Sequence, residues 1–251
     1  MLIQSTQNDT VKRARSLAAK KGRQETGLHL IEGERLVREA IASGAQIAEL
    51  FMEEGREAED MARSAQRVYT VTRRVLESMT DTGTPQWVCA SVHTPDTIPP
   101  ESYPEGFIVA LDRVQDPGNL GTILRTADAM GASGLLLSKG CADPFSPKVL
   151  RSTMGSVYHI PLWQGELIDE LSCLAAAGYT LICGHLEGGE TLPAPGKNCV
   201  LVIGNEGSGV SDEIGDICEK YRLPMFGRAE SLNASVAAGI LMYEISRAMR
   251  E

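Results

Sequence analysis

The chain has 251 residues, of which 43% are hydrophobic and 23% charged, and its net charge is −9, with a pI near 5.1. That length allows one large domain or two compact ones, and two are expected; the composition excludes extended disorder. The longest apolar stretches, 107–111 and 199–203, are strand-sized against the roughly 20 residues a membrane span needs, so no membrane partner is expected.

The opening residues are polar and lack the apolar core of a secretory leader, which leads us to expect a cytoplasmic protein. Asn8, Asp9 and Thr10 offer helix caps, and Val11, Ala14, Leu17 and Ala18 then recur on one face of a 3.6-residue period. Residues 1–24 carry six cations, Lys12, Arg13, Arg15, Lys20, Lys21 and Arg23, against one acid, Asp9. A basic face therefore survives an acidic total; it reads either as solvated helix surface or as a phosphate-binding surface. Strands at 28–32, 47–52, 68–71 and 88–92 alternate with helices at 34–43, through Met61 and at 73–79, which makes a small α/β unit over 1–94. Pro95, Pro99, Pro100 and Pro104 mark a stiff linker at 95–105.

Residues 106–251 read as a second α/β unit, with strands at 107–111, 134–137, 157–161, 179–183 and 199–203. Helices are expected near 120–130, 167–177, 212–220 and 232–249. Buried strands alternating with helices imply a mostly parallel sheet covered on both faces, with ligands at the carboxyl ends of its strands. Six cysteines, at 89, 141, 173, 183, 199 and 218, form no C-x-x-C pair and have no histidine at ligand spacing. They read as reduced, packed thiols, and no metal is expected.

Dinucleotide, P-loop, serine-hydrolase and zinc-protease fingerprints are all absent. Three post-strand loops stand out instead. The first, 111–121, opens a helix carrying Arg125 with Asp128 three residues on, a spacing that an ordinary local ion pair would also explain. The second, Gly204-Asn205-Glu206-Gly207-Ser208-Gly209, places three glycines and a carboxylate after an apolar strand, where backbone can approach a ligand closely; a plain turn is the alternative. The third, 223–235, leads through Ser231, a candidate helix cap, and Asn233 into a helix rich in alanine and glycine.

In this order and spacing the three loops resemble the SpoU, or TrmH, family of ribose 2′-O-methyltransferases. The resemblance covers 106–251, and Asn8 through Leu17 with Leu30-Ile31-Glu32-Gly33 extends it to the L30e-like substrate-binding domain found in many members. It implies an α/β sheet whose C-terminal segment threads a trefoil knot, S-adenosylmethionine as cofactor, and a homodimer with a shared catalytic centre. By matching motif positions, Gly204, Leu223, Met225 and Leu232 would hold the cofactor. Arg125 matches the arginine assigned to catalysis, and Asn119, Glu206, Ser231 and Asn233 match the other motif residues.

A guanidinium titrates above roughly 12, so orienting the ribose or a phosphate suits Arg125 better than accepting a proton. The basic N-terminal face suits a large folded RNA, and 23S-type ribosomal RNA is the expected substrate. Transfer RNA and a non-catalytic RNA-binding assembly factor of the same fold are the alternatives. Trp87, in Thr84-Pro85-Gln86-Trp87, stands where many relatives have glycine; core packing and base stacking are both open to it.

Overall fold

The computed structural model describes every residue except Met1, Asp81 and Gly83. Two compact units form, one from Met1–Pro95 with Phe145–Tyr158, the other from Asp96–Pro144 with His159–Glu251. The first contains β1 (Leu2–Ile3), α1 (Asp9–Ser16), α2 (Lys20–Thr26), β2 (Leu28–Glu32), α3 (Glu34–Ala42), β3 (Ile47–Glu53), α4 (Glu59–Arg63), β4 (Ala65–Val71), α5 (Arg73–Met79) and β5 (Val88–His93). Its sheet order is β1-β4-β3-β5-β2. The first three strands run parallel, and β5 is antiparallel to both its neighbours.

The α1 helix starts where its cap predicts, with the Asn8 side chain accepting from the Thr10 amide at 2.9 Å. Val11, Ala14 and Leu17 are buried against Phe51, Leu76 and their neighbours. Ala18 is exposed, because the helix stops at Ser16 and the chain turns into α2. Gly22 permits that turn: a β-carbon there would lie 2.2 Å from the Ser16 carbonyl oxygen.

The second unit contains β6 (Phe107–Leu111), α6 (Pro117–Met130) and β7 (Gly134–Ser138), after which α7 (Pro147–Thr153) and a 3-10 turn at Ser156–Tyr158 belong to the first unit. Then come β8 (Leu162–Gly165), α8 (Leu167–Ala176), β9 (Thr180–Gly189), β10 (Cys199–Ile203), α9 (Asp212–Gly215), β11 (Glu219–Tyr221) and α10 (Ala234–Ala248). The sheet is parallel throughout, in the order β11-β9-β10-β6-β7-β8. From β6 the chain steps outward to β7 and β8, crosses to β9, and then inserts β10 between β9 and β6. The loops leaving β6 and β10 therefore emerge side by side at a reversal of strand order, where open parallel sheets bind ligands.

Several elements differ from expectation. The strand expected at 157–161 is the 3-10 turn; Met154 (φ 54°) and Gly155 (φ 107°) bend the chain, and the strand forms only at Leu162–Gly165. There the Trp163 ring packs against Gly134, where a β-carbon would come within 2.3 Å of it. The helix expected over 212–220 ends at Gly215, and Glu219–Tyr221 instead pairs with β9 at the sheet edge, which carries β9 on to Gly189. The proline-rich stretch is built into the second unit rather than left as bare linker: the Tyr103 hydroxyl donates to Glu170 at 2.8 Å, and that of Tyr179 to the Pro104 carbonyl at 2.7 Å. All six cysteines are free thiols, of which Cys173 is exposed.

Candidate active site

Asp112, directly after β6, has a side chain only 4% exposed. It accepts from the Arg113 guanidinium at 2.8 and 3.0 Å and from the Ser211 amide at 2.8 Å. Burial pushes its carboxyl up, but these donors outweigh burial and hold it below the usual carboxylate range. The first loop is thereby tied to the end of the second. Asn205 repeats the tie, donating its side-chain N–H to the Arg113 carbonyl at 2.8 Å, while Arg113 itself sits at φ 54°.

Glu206 makes the central junction. Its Oε1 accepts from the Asp116 amide and from Asn119 Nδ2, both at 3.1 Å, and its Oε2 accepts from the Gln115 amide at 3.4 Å. Burial raises its pKa, yet the Asn119 hydrogen bond and the backbone donors win and the net shift is downward. An ionised carboxylate whose lone pairs are committed to N–H donors is a poor proton acceptor. Asn119 in turn accepts from Asn233 Nδ2 at 3.1 Å, which brings in the third loop. Asn233 is also the α10 cap, accepting from the amides of Ser235 and Val236. Ser231, the expected cap, lies before the helix; Asn233 takes the role because its side chain reaches the first free amides.

Glu206 also faces a cleft of about 640 Å³, a size ordinary for a nucleoside-sized ligand; Asn119 and Asn233 do not line it. Gly204, Glu206, Leu223, Met225, Ser231 and Leu232 all line it, together with Gly184 to Leu186, Tyr221 and the start of α10. At Gly204 only glycine fits, since a β-carbon would lie 2.1 Å from the backbone of Gly209 and Val210. Leucine and methionine side chains beside open backbone suit a flat heterocycle, while of the lining carboxylates Glu190 pairs with Arg222 at 2.6 Å and Glu206 is held by the first loop.

Arg125 does not line this cleft. It is exposed on α6, six residues or about 9 Å of helix rise beyond Asn119, and among the described residues it has no hydrogen-bond or ion-pair partner. Asp128, its expected local partner, pairs instead with His159 at 2.7 Å.

Of the six N-terminal cations, Arg15 and Lys20 are exposed with no ion-pair partner among the described residues. Lys12 lies 3.6 Å from Asp9 and Lys21 lies 3.7 Å from Glu25, both exposed pairs that hold their cations weakly. Arg13 pairs with the buried carboxylate of Glu49. Arg23 is a correction: it is only 7% exposed and donates to the Leu17 and Ala18 carbonyls at 2.7 and 2.9 Å. It closes the end of α1 and is not on the exposed basic face, because α2 folds back on that helix.

Sequence reasoning missed Asp112 and Asn205 as the braces of the site. A carboxylate and an amide immediately after two core strands were the available signal. Trp87 is half-buried, with its carbonyl accepting from the Glu53 amide at 2.8 Å. Among the described residues, no cluster of His, Cys, Asp and Glu could hold a metal ion, and no helix is long and apolar enough to cross a membrane.

A parallel sheet with three braced loops at its strand-order reversal defines a ligand-binding α/β enzyme unit. Comparison with known proteins specifies it further. Residues 106–243 match the SpoU rRNA methylase family and residues 8–90 an MRM3-like substrate-binding domain. The chain is 35% identical over 247 residues to the 23S rRNA (guanosine(2553)-2′-O)-methyltransferase RlmP of Bacillus subtilis, covering 97% of this chain and 98% of that protein.

Among solved structures it is similar to an AdoMet-bound rRNA methyltransferase from Sinorhizobium meliloti, at 37% identity and a TM-score of 0.90, over 98% of this chain and 97% of that one. It is also similar to AviRb from Streptomyces viridochromogenes in complex with AdoMet, at 29% identity and a TM-score of 0.83, over 96% and 98%. The chain belongs to the SpoU rRNA methylase family and is an S-adenosylmethionine-dependent RNA 2′-O-methyltransferase.

Proposed function

We propose that this enzyme methylates a ribose 2′-hydroxyl of 23S-type ribosomal RNA in the cytoplasm, with the catalytic centre shared between two copies of the chain. The observation that carries the reading is the hydrogen-bonded line Glu206–Asn119–Asn233, which ties together three loops remote in sequence beside a cleft that the second and third of them line. Gly204, Leu223, Met225 and Leu232 would hold the cofactor, and the trefoil path of the family is part of the same reading. Bound S-adenosylmethionine supplies an electrophilic methyl group on a sulfonium centre.

The chain's own task is to align and activate a hydroxyl too weakly acidic to ionise at neutral pH. Asn119, Glu206, Ser231 and Asn233 fix the loops against which the ribose lies. Arg125, permanently charged, orients the ribose or a flanking phosphate and stabilises developing alkoxide charge. It points to no group of its own cleft, which suits service to the cleft of a second copy. The exposed apolar residues Val236 (51%), Ile240 (40%) and Tyr243 (57%) on α10 supply a stripe for that copy to cover. Arg15 and Lys20, with Lys12 and Lys21, face RNA phosphates in this reading.

The test is to map 2′-O-methylation across ribosomal and transfer RNA from cells with and without the gene, and to repeat transfer with purified protein and unmethylated ribosomal RNA. Loss of a mark on ribosomal RNA, restored in vitro, is expected. A lost mark on transfer RNA would move the target, and no lost mark with no transfer would favour a non-catalytic binder.

A further inference from the structure

The chain has four phenylalanines. Phe51, Phe107 and Phe145 are at most 5% exposed, but Phe226 is 99% exposed. A phenyl ring left wholly in water gives the fold nothing, and here both of its faces are open. Its position is informative: Leu223 and Met225 before it and Ala229 to Leu232 after it line the cleft, so Phe226 to Arg228 form the outer turn of a loop whose two legs enter the site. Gly227 has no atom within 4 Å of where a β-carbon would stand, so nothing packs over that turn.

Arg228 adds an independent observation. The second unit has nine Lys and Arg against twenty Asp and Glu, and five of those nine cations sit in ion pairs. Arg228 is exposed and has no hydrogen-bond or ion-pair partner among the described residues, although acids outnumber bases in its unit. An aromatic face and an uncommitted guanidinium two residues apart, on a glycine-broken loop at the rim of the cleft, match the chemistry of an unpaired nucleotide: a base to stack on and a phosphate to hold.

We propose that Phe226 and Arg228 form a nucleotide clamp at the mouth of the cleft, in which Phe226 stacks on the base of an unpaired ribonucleotide at or beside the methylated position and Arg228 binds an adjoining phosphate. The clamp rests on the RNA-methyltransferase reading and adds to it a residue pair that selects single-stranded over paired RNA. It also explains how an acidic unit keeps hold of a polyanion at the point of reaction.

The experiment uses the full-length protein with unmethylated ribosomal RNA and measures kcat and KM for RNA, S-adenosylmethionine affinity by calorimetry, and sedimentation velocity. Phe226→Ala should raise KM for RNA by about tenfold, within the range measured for one base–aromatic stack, with cofactor affinity and sedimentation unchanged. Phe226→Trp should restore KM and Phe226→Leu should not, since leucine keeps apolar area but has no π-face. Arg228→Ala should lower the salt dependence of RNA binding by about one phosphate contact.

Rescue by leucine equal to that by tryptophan overturns the proposal. So does a changed sedimentation coefficient, which would give the ring to a second copy, or weakened cofactor binding, which would give it to the cofactor. Unaltered KM in Phe226→Ala with an active wild type removes the clamp alone; an inactive wild type removes the clamp and the RNA reading together.

Discussion

The two units divide their charge very differently. Fifteen Lys and Arg oppose thirteen Asp and Glu in the first unit, whereas nine oppose twenty in the second. Net charge over the whole chain, −9, therefore describes neither. In the proposed reading, attraction to phosphate falls to the first unit's helical N-terminus, and the acidic second unit, which holds the cleft, repels a polyanion except where single arginines are left uncommitted. On that reading a long-range field would recruit the RNA, and a few short-range contacts would place it.

If that division of labour is right, damage to each unit should fail in its own way. The largest effect is expected from Arg125→Ala, which should cut methyl transfer by about 100-fold or more, the scale of a lost transition-state charge contact, while calorimetry finds cofactor affinity intact. Equal loss of RNA affinity would erase the distinction between recruiting and reacting cations. Gly204→Ala comes next: a β-carbon 2.1 Å from the Gly209 backbone must displace the second loop. Cofactor binding should fall at least tenfold while RNA binding, measured by filter retention, holds.

Smaller, and confined to the first unit, is the double reversal Arg15→Glu with Lys20→Glu. It should weaken RNA binding several-fold near physiological salt and flatten the salt dependence by about two phosphate contacts, with kcat at saturating RNA unchanged. The mildest test is acidification. Because the folded-state pKa of Glu206 is lowered, its bracing is fully present above the ordinary carboxylate value and is lost only as pH falls through the depressed one. Cofactor affinity should thus stay level down to about pH 5 and drop below it, and Glu206→Gln should remove the drop. A decline beginning near neutrality would assign the titration to another group.

Arg23 shows how a residue can be read correctly as chemistry and wrongly as place. Its charge and its position in a basic run were visible, but the turn between α1 and α2, which points its guanidinium at two carbonyls, was not. The error at 157–161 has the same origin. A short apolar run satisfies either strand or buried turn, and the backbone torsions at Met154 and Gly155 decided between them. Segment 145–158 reads as part of the second unit along the chain, yet it packs in the first.

Sequence alone determined the alternation of buried strands and amphipathic helices, the cap at Asn8, and the three glycine- and amide-rich loops, because each depends on residues within a turn or two of one another. Tertiary structure decided what no local pattern encodes. Strand insertion set the loops after β6 and β10 side by side, Glu206 found Asn119 across 87 positions, and Asn119 found Asn233 across 114. Such partners are chosen by the order of strands in a sheet, and that order is settled by how whole elements pack, not by the preferences of any one of them.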